Sequence, residues 1–315
     1  MTGYLVYLFI NPYKSLVMKT ARFSLCGLSI ALLASAVLLP KAHAITIAHG
    51  GDSVDINFVD IGNVDNAADT TGYGAVDYEY SIGTYEVTAA QFAAVSSFDV
   101  NVEDNANDPW SGLQPTAETS WYEAAKFANW LTSGDALQGA YQFSDATTFT
   151  GVDRATALTT YGTIYVLPTE DEWYKAAYFK SDGSGYTLYP TGDTLPVAGT
   201  DANYNGVNSA PWNVGSGSVE NNGTYDMGGN VWEWGESAFD GTLDDLAESR
   251  VIRGGIWHAG DVLNSSARGS TDPVFDSFNL GFRVAALELQ VVPEPSSVGL
   301  LIIGAMCCML RRKRG

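Results

Sequence analysis

Residues 53–64, SVDINFVDIGNV, alternate apolar and polar positions as a half-buried strand does, and NVDNAADTTGYG, which overlaps their end, is rich in turn residues. The aromatic and β-branched stretch YEYSIGTYEVT (78–88) predicts another strand. Three helix starts then share one signature: Thr88 with Gln91, Ser120 with Glu123, and Thr169 with Glu172 each form a potential capping box. In the second helix, WYEAAKFANWL, the spacing puts Trp121, Ala124, Ala125, Ala128 and Leu131 on one face, with Glu123, Lys126 and Asn129 facing away. The third, EDEWYKAAYF, turns Trp173, Ala176 and Ala177 inward in the same way. After Lys180 some fifty residues are rich in Gly, Asn, Ser and Asp, before the strand-like RVIRGGIW and the closing NLGFRVAALEL. No repeat period and no linker divides this region, so it reads as one domain.

The two ends follow different rules. Residues 1–17 resemble no structural element and read as an over-extended start. From Met18, Lys19 and Arg22 precede the apolar run FSLCGLSIALLASAVLL, and small residues at AHA end it at Ala44. That order predicts a secretory signal peptide over 18–44. At the other end, Pro293, Glu294 and Pro295 precede a short apolar segment from about Val298 to Leu310 and a basic cluster, Arg311 to Arg314. The segment is short against the roughly 20 residues of a full span, and the basic cluster resists translocation. Motif, helix and basic tail resemble the PEP-CTERM sorting signal of Gram-negative bacteria that make extracellular polysaccharide. The resemblance implies an exosortase-type processing enzyme as partner, membrane attachment through residues 291–315 before processing, and delivery to the cell surface or matrix.

Charge and cysteine usage narrow the domain between those ends, residues 45–290. The chain has 16 Lys and Arg against 36 Asp and Glu, a formal −20. Four of the basic residues precede Ala44 and four follow Leu310, so the domain carries eight cations against nearly all the carboxylates. Nucleic acid and other polyanions are poor partners for such a surface, whereas cations suit it; solubility alone also accounts for acidity of this kind. The three cysteines are Cys26, Cys307 and Cys308, so the domain has none and is held without disulfides.

The stretch NGTYDMGGNVWEW (222–234) sets Glu233 between Trp232 and Trp234. In extended backbone the carboxylate points opposite to the two indoles. Three readings compete: a turn with a buried aromatic anchor, a metal-binding loop, and part of a catalytic pocket.

YEVTAAQF, TSWYEAAKFANWL, LPTEDEWYKAAYF, NGTYDMGGNVWEW, RVIRGGIW and NLGFRVA, in that order, resemble the formylglycine-generating enzyme (sulfatase-modifying factor) family. That family also includes iron-dependent sulfoxide synthases. The resemblance runs from about Asn57 to Leu289 and implies an α+β, C-type-lectin-like, loop-rich fold. It implies a calcium site at Asp226, the carbonyls of Gly229 and Val231, and Glu233. A second calcium site would begin at Asn203 and the carbonyl of Tyr204, with its remaining ligands unassigned. The alternative for Glu233 is an Asx-turn leading into a tryptophan anchor, with the carboxylate capping backbone amides.

The family's oxidase holds copper(I) on a pair of cysteines near its C-terminal RGG strand. Both positions carry other residues here, and the hard alcohols of Ser265 and Ser266 do not replace soft thiolates. The iron branch needs three histidines, or two with a carboxylate, and the domain has only His258 and His49, which sits five residues from the expected new N-terminus and is not expected to reach a central pocket. Neither copper nor iron is therefore expected. Glu170 and Glu172 lie at a helix start, where the dipole accounts for them. Two functions remain in competition. One is a non-catalytic, calcium-stabilised surface domain that binds a polysaccharide or peptide. The other is an oxidoreductase with an atypical ligand set around Trp257, His258, Ser266 and Arg268.

Overall fold

The structure, a computed structural model, describes residues 42–289 except 104–106, 244 and 261. Its largest sheet grows from a hairpin in which β1 (Ala42–His49) pairs antiparallel with β2 (Asp52–Ile61) across Gly50 and Gly51. The alternation in β2 buries Val54, Ile56 and Phe58, as the sequence predicts, and beyond them Val59 and Ile61 on the opposite face are buried too. The strand expected over 78–88 is limited to β3 (Tyr80–Gly83), which pairs with β2. Three capping boxes are present as expected, opening α1 (Ala89–Phe98), α2 (Trp121–Ser133) and α4 (Glu170–Tyr178).

Between α2 and α4 lie elements that sequence reasoning missed: β4 (Tyr141–Phe143), β5 (Phe149–Val152), α3 (Arg154–Tyr161) and β6 (Thr163–Val166). They are short, and α3 has no pronounced apolar stripe, with only Ala157 buried. After a long irregular segment come β7 (Trp232–Ala238), β8 (Arg250–Arg253), β9 (Gly269–Thr271), β10 (Leu280–Gly281) and β11 (Ala285–Glu288). The five-stranded sheet has the order β1-β2-β3-β11-β6, so the last strand inserts between β3 and β6 and joins both ends of the domain. A second sheet has the order β10-β7-β8-β9, and β4 pairs with β5.

The helices pack on the main sheet through aromatic contacts. Phe127 of α2 stacks on Phe92 of α1, and Phe282 meets both rings edge-on. Two residues assigned to the outer face of α2 are in fact buried. The Lys126 ammonium sits 5.7 Å from the Phe143 ring centre. Asn129 donates to the carbonyls of Ala136 and Tyr141 and accepts from the Tyr141 amide, which pins the following loop. A Cβ at Gly139 would collide with that asparagine. Helical periodicity places a residue on a face, but here the loop folds over that face and covers it.

The irregular segment is ordered by side chains that satisfy backbone groups. Asn222 donates to the carbonyls of Ala176 and Phe179, closing the C-terminus of α4. The segments expected to be a signal peptide (18–44) and a sorting tail with an apolar helix (291–315) lie outside the described residues, apart from the first three residues of β1. Ala42, His43 and Ala44 pair there with Val59, Phe58 and Asn57, so the expected cleavage point falls within the strand. Among the described residues no helix is long and apolar enough to cross a membrane.

Candidate functional site

The loop before β7 turns on left-handed backbone at Asp226 (φ 61°), Gly229 (φ 95°) and Asn230 (φ 61°). Asp and Asn tolerate this conformation, and at 229 only glycine fits, because a Cβ would run into the Asn203 carbonyl. The loop delivers Glu233 and Trp234 into the interior, where both are fully buried, while Trp232 is half-buried. The Trp234 indole donates to the Thr119 carbonyl at 2.8 Å.

Glu233 meets an internal cation. Arg283 donates Nε and Nη2 to its two carboxylate oxygens, each at 2.6 Å, and Trp173 Nε1 donates to Oε2 at 2.7 Å. The guanidinium also donates to the carbonyls of Gly83 and Tyr225, both at 3.0 Å. Burial alone would favour the neutral arginine, but Glu233 outweighs it and holds Arg283 charged.

Further carboxyl groups crowd the same interior. Glu86 accepts from Asn230 Nδ2 at 3.0 Å through Oε1, while its buried Oε2 has no partner. Burial, then the negative charges of Asp226 and Glu233, push its carboxyl well up. Glu220 accepts from Thr224 and the Met227 amide, and burial pushes it up to about 8 against the pull of Arg283. Asp226 accepts from Trp212 Nε1 and the Gly215 amide, both at 2.7 Å, and burial raises it too. Four buried carboxyls thus surround one arginine.

Does calcium fit this set? The donors are hard oxygens, there are more carboxyl groups than Arg283 alone can pair, and one buried oxygen is unpaired, all of which suit a divalent ion. The carboxylates of Asp226 and Glu233 already accept internal donors, so an ion would share them with Trp212 and Arg283. Among the described residues no three His, Cys, Asp or Glu side chains converge as a metal cage, so backbone carbonyls such as those of Gly229 and Val231 would have to contribute. Asn203 and Tyr204, expected to begin a separate site, adjoin the same loop. The Asn203 carbonyl accepts the Asn230 amide at 2.8 Å and its side chain donates to Asn230 Oδ1. The Tyr204 hydroxyl donates to the Pro196 carbonyl.

The other expected constellation is dispersed. Trp257 and His258 lie together, with ring centres 4.4 Å apart, and His258 lies alongside Phe278. Arg268 instead forms a double ion pair with Glu170 and covers the Phe239 ring at 4.0 Å. Ser266 bonds to Asn264 at the surface. Glu170 and Glu172, read from sequence as helix-dipole residues, are buried ion-pair partners. Glu170 is shared by Arg253 and Arg268, and Glu172 pairs with Arg154 at 2.8 Å in addition to its capping role.

Sequence reasoning missed Glu86, Glu220 and Arg283. The signal lay in lone charges inside apolar runs, YEVT and GFRVA, where a charge needs a buried partner.

Taken together, sheets of five, four and two strands, capped helices and a long, side-chain-ordered irregular segment make an α+β, C-type-lectin-like, loop-rich fold. Over residues 38–287 the chain belongs to the sulfatase-modifying factor enzyme 1-like domain family. It is 33% identical over 140 residues to the mouse (Mus musculus) protein named inactive C-alpha-formylglycine-generating enzyme 2, covering 38% of this chain and 42% of that one. The Bos taurus protein of the same name matches at 33% over 140 residues, covering 38% of this chain and 43% of its own. The chain therefore spans less than half the length of these curated relatives. Among solved structures, Treponema denticola variable protein 1 aligns with a TM-score of 0.56 at 23% identity, over 78% of this chain and 99% of that one. CarF aligns at 0.53 and 21%, over 75% and 99%. At such identities these structures bear on the fold alone.

The raised Glu220 carboxyl has a signed consequence for stability. Below its ordinary value of 4.5 both folded and unfolded chains hold the proton. As pH rises toward about 8 the unfolded chain has lost a proton that the folded one keeps, and stability declines through this window. With divalent ions chelated, Glu220→Gln should flatten the fall in melting temperature between about pH 5 and 8. An unchanged slope would show that Glu220 does not titrate in the fold.

Proposed function

We propose that this chain is a non-catalytic member of its family, an exported, calcium-stabilised domain with a binding role at the cell surface or in extracellular matrix. The observation that carries this reading is the lack of any cysteine in residues 45–290. Copper(I) chemistry of the family's kind needs soft thiolates, and alcohols do not supply them. The segment where the family resemblance expects that pair is positioned by its backbone. The Ser265 amide donates to the Leu188 carbonyl, and Arg253 donates to the carbonyls of Ser265 and Ala267. The mouse and cattle relatives are themselves named inactive, which agrees with this reading.

An oxidoreductase with an atypical ligand set is the competing reading, and the dispersal of Arg268 and Ser266 away from Trp257 and His258 weighs against it. The deciding test supplies copper(I), oxygen and a cysteine-bearing sulfatase peptide to the purified chain. No aldehyde should form above the buffer control. Turnover that His258→Ala abolishes would overturn the non-catalytic reading.

Calcium is supported by the surplus of buried carboxyls and the unpaired Glu86 oxygen, with Asp226, Glu233 and the carbonyls of Gly229 and Val231 as its holders. Glu233→Gln is a poor probe, because it breaks the Arg283 pair with or without an ion. A chelator should lower the melting temperature of the native chain, and Glu86→Gln should shrink the rise on adding calcium back. A melting curve indifferent to calcium from micromolar to millimolar would exclude this part of the proposal.

The destination rests on the tail, with the exosortase-type enzyme as the processing partner. The basic cluster would halt secretion with the domain outside the inner membrane. Mass spectrometry of protein recovered from the cell surface should find a form lacking Cys307, Cys308 and the basic tail. An intact C-terminus at Gly315, still in the inner membrane, would make the segment a plain anchor.

A further inference from the structure

Strand β1 is held at both ends. Toward the hairpin turn, His49 Nε2 lies 3.1 Å from the Leu131 carbonyl oxygen, and its ring meets Trp130 edge-on at 5.3 Å. At the other end His43 stacks on Phe58 at 6.3 Å and 29°, and its Nδ1 lies 3.6 Å from the Asp60 carboxylate. Ala42, His43 and Ala44 pair with Val59, Phe58 and Asn57. Phe58 and Val59 are fully buried, and on their far side they pair with Gly83 and Ile82 of β3. A chain cut after Ala44 would lose this end of the strand. Phe58 would lose the ring stacked on it, and the backbone of 57–59 would become an open sheet edge beside the core.

Two further observations point the same way. The family match begins at residue 38, so a cut after Ala44 would remove residues 38–44 from the matched domain. The leader also offers a second place to cut. Ala34, Ser35 and Ala36 repeat the small-x-small pattern of Ala42, His43 and Ala44. The apolar core of a cleaved leader runs to about 7–15 residues. The run Phe23–Leu33, which precedes the first pattern, has 11 residues. The run Phe23–Leu39, which precedes the second, has 17 and exceeds that range.

We propose that the leader is removed after Ala36, so that the exported chain starts at Val37 and keeps β1 whole. The step is hydrolysis of the Ala36–Val37 amide by a signal peptidase. Water supplies a hydroxyl to the Ala36 carbonyl and a proton to the Val37 nitrogen, which leaves a carboxylate and an ammonium. Pro40 and Lys41 then belong to the exported chain. The proposal moves the cleavage point upstream of the one expected from sequence, and it rests on the export reading above.

The test expresses the full chain in a Gram-negative host and recovers the exported protein. Amine labelling and mass spectrometry then read its first residues. The expected N-terminus is Val37. Ala36→Gln should abolish that terminus, because a signal peptidase needs a small residue before the cut. Ala44→Gln should be processed as the natural chain is, and Ala44 is exposed, so the change spares the core. A natural chain that starts at Ile45, or processing lost in Ala44→Gln, would overturn the proposal and leave export standing. A terminus between Leu38 and Ala42 supports it if Ala36→Gln removes that terminus as well, which marks later trimming, and overturns it otherwise. A chain that still carries the residues from Met18 would refute export, and the proposal with it.

Discussion

The ion pair between Arg283 and Glu233 is the constraint on which the interior depends. One guanidinium reaches Glu233 at the start of β7, the carbonyl of Gly83 at the end of β3 and that of Tyr225 in the irregular segment. Trp173 of α4 joins through the same carboxylate. Both charged groups are fully excluded from water. A buried pair of this kind offers little net stability over apolar packing, yet losing one partner costs about 3–5 kcal/mol because the other is stranded. Its value is in specificity: the last strand, the tryptophan loop and α4 are held in one arrangement by a residue that tolerates no other. The neighbouring carboxyls of Glu86, Glu220 and Asp226 are the cost of that choice, since a single cation cannot balance them all.

This use of arginine inside the fold shapes the outside as well. Arg154 is spent on Glu172 and Glu236, Arg253 and Arg268 on Glu170, and Arg250 on the Trp121 ring. A domain without disulfides joins its irregular segments to its helices through these charged and aromatic contacts. With so few cations in the domain, little beyond Lys180, which pairs with Asp193, is left to offset the surface carboxylates. The internal architecture and the acidity of the surface are thus two consequences of one composition.

What the sequence revealed was mostly local. Thr88, Ser120 and Thr169 announce their helices because a capping box is complete within four residues. The alternation in β2 is visible because one face meets the core. The position of β11 between β3 and β6 was hidden, since strand pairing across some two hundred residues leaves no mark in either segment alone. Asn129 and Lys126 were misplaced because the loop that covers them folds back from outside the helix. Glu170 and Glu172 were legible as helix-start residues, but their arginine partners lie elsewhere in the chain. At the site, Gly229 and the direction of Glu233 opposite to its flanking indoles were readable, whereas the full burial of that carboxylate against Arg283 was not.

The same distinction separates side chains on which the fold depends from side chains on which it does not. The segment around Ser265 is fixed by main-chain groups: its amide binds Leu188, and its carbonyl, with that of Ala267, receives Arg253. None of those interactions depends on the Ser265 side chain, so the backbone network there does not prescribe which residue occupies the position. Glu233 is the opposite case. Its carboxylate anchors Arg283 and Trp173, so it is required by folding whether or not an ion is bound. A residue that the core needs in this way is held in place by folding alone. Side chains used only in catalysis have no such second hold on the structure, and they are the ones free to change.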